Sequence, residues 1–150
     1  MEKKIVQVQE RTQQLIRQLL NVWESSVRAT HDFLSEEEII KIREYVPMAI
    51  ENVEYLIIAE KEFGEPVAFM GIDSNRLEML FLSPKARGKG LGKRLLQYGI
   101  ETYNIQELTV NEQNPQAVGF YEHMGFQTYK RTDHDEKGNP YPLLYMRLSR

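Results

Sequence analysis

Apolar residues along the chain switch between spacings of two and spacings of three or four, and this divides it into strand and helix candidates. Ile5, Val6 and Val8, set among Lys and Gln, predict a short first strand. From about Thr12, Leu15, Ile16, Leu19, Leu20, Trp23 and Val27 fall on one stripe, the pattern of a helix that packs on a sheet. Ser35-x-x-Glu38 is a capping box, in which hydroxyl and carboxylate satisfy exposed N–H groups, so a second helix starts near Glu36. It carries Ile39, Ile40, Ile42 and Val46, and Pro47 limits its continuation.

Glu54 to Ala59 is a short apolar run with β-branched residues, and the turn Phe63-Gly64-Glu65-Pro66 leads into a partner strand, Val67 to Ile72. After Asp73-Ser74-Asn75 a further strand, Leu77 to Leu82, feeds a glycine-rich loop. Leu91, Leu95, Leu96, Tyr98, Ile100 and Tyr103 then mark an amphipathic helix, and Glu107 to Asn111 another strand. Asn114-Pro115 is a strong helix start, with Asn as cap and Pro where its missing N–H is not needed. That helix carries Ala117, Val118, Phe120, Tyr121 and Met124 and stops at Gly125. Phe126 to Arg131 and Tyr141 to Leu148 are the last strands. The order β-α-α-β-β-β-α-β-α-β-β predicts an α/β (mixed α+β) fold, a mixed central sheet of about seven strands with helices on both faces. No boundary signal splits it, so one domain over residues 1–150 is expected.

Composition narrows the chemistry. Hydrophobic residues are 41% and charged residues 27%, which fits an ordinary globular chain. The absence of cysteine removes disulfides, thiolate metal sites and cysteine nucleophiles together. No segment approaches the apolar length of a membrane span, and a cytoplasmic protein is expected. A formal net charge of −3 speaks against general nucleic-acid binding. The three histidines lack metal-ligand spacing, and no metal is expected.

Against that acidic background, Phe81 to Arg94 stands apart. It holds Gly88, Gly90 and Gly92 with Lys85, Arg87, Lys89, Lys93 and Arg94, and no carboxylate occurs from Met79 to Ile100. Glycines let N–H groups converge, and a helix N-terminus adds partial positive charge, so the stretch suits a phosphate or pyrophosphate. A Walker A loop is excluded because Arg94 follows Lys93 and no glycine stands at position 87; a dinucleotide loop fails because Lys93 takes the last glycine position. A glycine-rich turn with a solvated basic face remains the alternative on the loop alone.

Three segments in order resemble the GCN5-related N-acetyltransferase (GNAT) superfamily over essentially the whole chain. They are Glu78 to Pro84 running into Arg87-x-x-Gly90-x-Gly92, then Asn111-x-x-Asn114-Pro115-x-Ala117, then Phe120-Tyr121-x-x-x-Gly125-Phe126. Trp23-x-x-Ser26-Val27-x-Ala29-Thr30-His31-x-Phe33-Leu34 and Gly138-x-Pro140-Tyr141-Pro142-Leu143-Leu144 further resemble its bacterial YjaB-like branch. The resemblance implies transfer of an acetyl group from acetyl-CoA to a primary amine of a small molecule or peptide, by direct attack in a ternary complex. It implies that amides of Arg87, Gly88, Lys89, Gly90, Leu91, Gly92 and Lys93 hold the CoA pyrophosphate. It also implies that the backbone of Leu80, Phe81 and Leu82 pairs with the pantetheine arm where two strands splay, with a bulge there aiming an N–H at the thioester oxygen. Asn111, Asn114 and Tyr121 complete the donor site. Dimers are common in the family, so a homodimer is the oligomer implied.

An alkyl ammonium is only about 0.1% neutral at pH 7, so acetyl transfer calls for a base or a water chain. Glu78, just before the loop, is the leading candidate, with a solvent-facing strand Glu as the alternative. Tyr121 matches the family's tyrosine acid, which protonates the departing thiolate; packing beside Phe120 and Met124 is the other reading. His31, between the first two helices, is placed where the acceptor pocket is walled, though a histidine that bonds its own turn explains it as well. Tyr141 and Tyr145 face the pocket or pack on the sheet. Asp32, Glu36, Glu37 and Glu38 hint at a cationic acceptor, or simply complement a helix dipole. Two other classes stay open: an acyl-CoA-binding module without turnover, and a nucleic-acid binder using the basic loop. The acceptor and the acyl chain length are not legible.

Overall fold

The computed structural model describes residues 3–149. In chain order the elements are β1 (Lys4–Gln7), α1 (Gln13–Thr30), α2 (Glu36–Arg43), α3 (Val46–Asn52), β2 (Tyr55–Glu60), β3 (Pro66–Asp73), β4 (Arg76–Leu82), α4 (Leu91–Tyr103), β5 (Glu107–Asn111), α5 (Pro115–His123), β6 (Phe126–Thr132) and β7 (Leu143–Leu148). The sheet has seven strands in the order β1-β2-β3-β4-β5-β7-β6. Its β4–β5 pair is parallel and the rest antiparallel. The mixed α/β fold expected from the periodicity is therefore present.

Alternation along the central strands distributes side chains to two cores, because successive Cβ atoms point to opposite faces. Leu56, Ile58 and Phe69 join Leu19, Trp23, Val27, Ile39 and Ile50 beneath α1, α2 and α3. Ile57, Ala59, Ala68 and Met70 join Leu91, Leu95 and Leu96 of α4 on the other face. Thr12 caps α1 by accepting from the N–H of Leu15, and Ser35 and Glu38 form the expected capping box of α2. With both faces covered, ligands are left the ends of the strands.

Three local expectations are corrected. The second helix ends at Arg43, and Val46 opens a separate helix with Pro47 in its first turn, where the missing N–H and fixed φ are tolerated. Proline here starts an element instead of merely closing one. Tyr141 lies before the last strand, which begins at Leu143. The bulge on β4 is upstream of Leu80 to Leu82: Gly71 pairs Met79 and Ile72 pairs Leu77, which leaves Glu78 as the extra residue. A bulge re-aims the residue it inserts, so Glu78 is the side chain that it presents.

Candidate active site

β4 and β5 pair only through Arg76 with Glu107 and Leu77 with Leu108, and then diverge. From Glu78 onward the edge of β4 turned away from β3 has no strand partner among the described residues. A groove of about 460 Å³ opens there, walled by Glu78 to Leu82 of β4, Thr109 to Asn111 of β5, and Phe120 and Tyr121 of α5. Ser26 and Thr30 of α1 and its C-cap His31 close the far side, and Arg87, Gly88 and Gly90 to Lys93 form its end. Apart from Lys89, which is exposed outside it, every residue that the resemblance assigned to the donor lines this groove.

The loop has the backbone that anion binding requires. Gly88 and Gly90 take φ of +76° and +79°, a left-handed conformation that other residues adopt only at a cost. Gly90 is also the N-cap of α4 and supplies no side chain to the helix end. Arg94 N–H is the first to find an intrahelical carbonyl, that of Gly90 at 3.0 Å. The N–H groups of Leu91, Gly92 and Lys93 thus have no intrahelical acceptor, and the partial positive end of the helix faces the groove.

Arg87 is held differently from the other loop cations. Its Nη2 donates to Ser26 Oγ at 2.9 Å, while its Nε is buried without a partner among the described residues. Burial pulls its pKa below the ordinary arginine value. A buried N–H that lacks an acceptor is costly, and Ser26 satisfies only part of the guanidinium. Donor set, glycine conformations and unpaired strand edge together fit a long, phosphate-bearing ligand.

Asn114 is both a helix cap and a residue of the groove wall. It is buried, its Oδ1 accepts from Ala117 N–H at 3.3 Å as a helix cap, and it lines the groove. Asn111 Oδ1 accepts from Gln113 N–H at 2.9 Å and lines the same wall. Tyr121 likewise packs and lines. Its ring meets Phe120 at 5.3 Å and Phe126 at 6.1 Å, and burial raises its phenol well above the ordinary tyrosine range. The phenol therefore stays protonated at neutral pH.

Glu78 sits on the bulge, partly exposed, with Oε1 3.3 Å from Arg76 Nε. Burial raises its pKa, Asp73 and Glu136 push in the same direction, and Arg76 opposes them. Arg76 is in turn fixed by a hydrogen bond to Thr109 Oγ1 and by the Tyr145 ring, 5.9 Å away. His31 caps α1 through its N–H to Val27, and its Nδ1 lies 2.7 Å from Thr30 Oγ1, so it does bond its own turn while lining the groove. Burial first, and Arg87 second, lower its pKa against Asp32, which keeps the imidazole neutral.

A second cavity, of about 520 Å³, lies between α2 and the loop joining β6 to β7, and it shares Glu78 and Thr109 with the first. Its wall carries four carboxylates, Glu38, Glu78, Asp135 and Glu136, and three cations, Lys41, Arg76 and Lys137. Arg76 pairs with Glu78, Glu38 is held in its capping box and Asp135 in its own turn, and Lys137 lies 4.0 Å from the Tyr45 ring, which leaves the cavity a formal excess of one carboxylate, with Glu136 without a hydrogen-bonded partner among the described residues. Of the four acidic residues named as a hint of a cationic acceptor, only Glu38 reaches this cavity; Glu36 is paired with Arg28. Tyr141 lines it, Tyr145 lines neither cavity, and His123 and His134 are exposed. The sequence reading missed Ser26, Thr30, Arg76 and Thr109 as site residues. Arg76 and Glu78, two apart on one strand, were a visible signal; the contact of Ser26 with Arg87 spans 61 residues and was not.

Comparison with known proteins agrees with this geometry. The profile of the "Acetyltransferase (GNAT) domain" matches residues 24–148. The peptidyl-lysine N-acetyltransferase YjaB of Salmonella typhimurium is 40% identical over 126 residues, covering 84% of this chain and 86% of that protein. The enzyme of the same name from Escherichia coli is 39% identical over 127 residues, covering 85% of this chain and 86% of that one. The solution structure of apo-form YjaB from Escherichia coli superposes with a TM-score of 0.88 at 34% identity, over 99% of this chain and 98% of that one. No helix among the described residues is long and apolar enough to cross a membrane.

Proposed function

The chain belongs to the GNAT acetyltransferases, enzymes that carry the acetyl group of acetyl-CoA to an amine, and from that premise we propose that its acceptor is the side-chain amine of a peptidyl lysine. The observation that supports this reading most is the meeting of the donor groove with a second, acidic cavity at Glu78. A thioester in the first and an ammonium entering through the second approach each other at a carboxylate. The two curated relatives named as peptidyl-lysine N-acetyltransferases point to the same acceptor.

In this reading the N–H groups of Gly88 and Gly90 to Lys93 hold the pyrophosphate, with Lys89 outside the groove free to meet the 3′-phosphate. The unpaired edge of Leu80 to Leu82 takes the amides of the pantetheine arm. Glu78 removes a proton from the lysine ammonium, the freed nitrogen bonds to the acetyl carbon, and the carbon–sulfur bond breaks. Tyr121 gives its phenolic proton to the leaving sulfur, and a proton shed by the acylated nitrogen restores the phenol, so that one proton is released per turnover. With no cysteine in the chain, direct transfer is the route that these residues serve.

Lysine peptides incubated with acetyl-CoA test the acceptor directly. Mass spectrometry should place a single acetyl group on Nε of lysine, with stoichiometric thiol release. Acetylation confined to peptide N-termini or to small amines would contradict the reading. Thermal stabilisation by acetyl-CoA without turnover on any amine would make the chain a binding module instead. The loop is tested separately. Gly90→Ala should weaken acetyl-CoA binding about tenfold by calorimetry, because relaxing a strain of roughly 1–2 kcal/mol turns the loop out of the left-handed conformation that aims its N–H groups, and the ligand must restore it. Gly64→Ala, with φ +78° at a turn away from the groove, should lower stability and leave the affinity alone.

A further inference from the structure

The second cavity opens beside apolar side chains that the fold leaves uncovered. Ile42, Tyr45 and Met48 stand three residues apart across the junction of α2 and α3, and they are 38%, 54% and 62% exposed. The chain stays in helical turns there: Tyr45 N–H bonds Ile42 O at 2.9 Å, and Ala49 N–H bonds Tyr45 O at 3.2 Å. At that spacing the three side chains are surface neighbours and form a ridge. Scattered apolar residues on a surface need no explanation, but a contiguous row that ends at a charged cavity does. Ile42 itself lines the cavity.

The ridge is also fixed in place. Lys137, from the far wall of the cavity, lies 4.0 Å from the centre of the Tyr45 ring. That contact ties the aromatic ring to the loop between β6 and β7, so the apolar row and the cavity mouth form one surface. An aromatic anchor held by a neighbour loses little entropy when a partner covers it.

We propose that the ridge Ile42, Tyr45 and Met48 docks an apolar side chain of the acceptor protein, set within a few residues of the lysine whose ammonium enters the acidic cavity. This rests on the peptidyl-lysine reading above. The occupant follows from continuity: whatever threads a cation past Glu38 and Glu136 toward Glu78 must lay its flanking residues along the cavity rim, and on the α2 side Ile42 lines that rim with Tyr45 and Met48 exposed beyond it. The cavity then recognises the charge, and the ridge selects which lysines reach it. Small amines make no use of the ridge.

The test compares three acceptors in the intact enzyme: a lysine peptide with Leu on both flanks, the same peptide with Ser in place of each Leu, and the amide of Nα-acetyl-lysine, which has no flanks. The wild type should prefer the Leu peptide to the Ser peptide by about tenfold in kcat/KM. Tyr45→Ser/Met48→Ser should abolish that preference, carried mainly by KM; because Tyr45→Ser also releases Lys137, the single variant Met48→Ser is the control in which the preference falls in part while turnover of the lysine amide and the Tm in acetyl-CoA stay as in the wild type. Both substitutions are at exposed positions, so folding is preserved. Retained preference in the variant, or an equal loss on all three acceptors, overturns the ridge and leaves the lysine reading standing. Turnover on none of the three overturns both. A wild-type dimer that the double variant converts to monomer, with peptide preference intact, assigns the ridge to a second copy of the chain and also overturns the proposal.

Discussion

Tyr121→Phe lowers kcat by roughly 10²–10⁴-fold while acetyl-CoA binds as tightly as before, because the change removes a general acid and leaves the wall of the groove in place. The phenyl ring retains the contacts to Phe120 and Phe126, so packing is preserved. Burial is the cause of the raised phenol pKa, with no hydrogen-bonded partner contributing. Loss of the oxygen therefore strands no buried donor or acceptor, and Tm should stay within about 1–2 °C of the wild type. The pH profile supplies an independent check. A group with its pKa raised by burial loses its proton only above the ordinary tyrosine range, so wild-type kcat should show no fall from this group across neutral pH. Presteady-state thiol release with saturating acetyl-CoA reads the chemical step. A variant that keeps its rate, or that loses affinity for acetyl-CoA in proportion to rate, assigns the proton to another donor.

Much of the fold was legible because its signals are local. The capping box at Ser35 and Glu38, the Asn114-Pro115 start and the left-handed Gly125 each depend on a few consecutive residues, and each falls where the pattern puts it. Glycines at 88 and 90 announced a special backbone for the same reason. Where two local signals competed the reading slipped: Pro47 bars the continuation of one helix and favours the first turn of another, and the packing of Val46 and Ile50 on α1 decided for the second. The site was less legible. Its groove exists because β4 and β5 pair over only two residues, its bulge because one residue is extra, and its Arg87 is set by a serine far off in sequence. These are properties of pairing between distant segments, which periodicity does not encode. Family resemblance, carried by three motifs, supplied the donor and the roles of Glu78 and Tyr121; physical reading of the residues alone reached an anion-binding loop and stopped.

Glu78→Gln should lower kcat/KM for a lysine peptide by about 10²-fold or more at neutral pH, and it should also change the shape of the pH profile, which a merely structural role would not do. Glu78 acts in its ionised form, so wild-type kcat/KM must rise with pH through its pKa. Burial, Asp73 and Glu136 raise that pKa and the Arg76 partner opposes them. The acid limb is therefore shifted upward from the ordinary carboxylate value. A raised pKa also makes the carboxylate a better proton acceptor from an ammonium, since Brønsted behaviour favours a base nearer the working pH. In Glu78→Gln this limb disappears, and the residual rate follows the fraction of neutral amine, rising about tenfold per pH unit. The amide keeps the volume of the side chain but leaves Arg76 with one fewer anionic neighbour; Thr109 and the Tyr145 ring still hold it, so the wall between the two cavities persists. His31 is the competing base in the same groove, neutral through burial and bonded to Thr30. His31→Asn separates the two: should it erase the acid limb while Glu78→Gln leaves the limb intact, the proton passes through the imidazole, and the meeting of the two cavities at Glu78 serves only to position the amine.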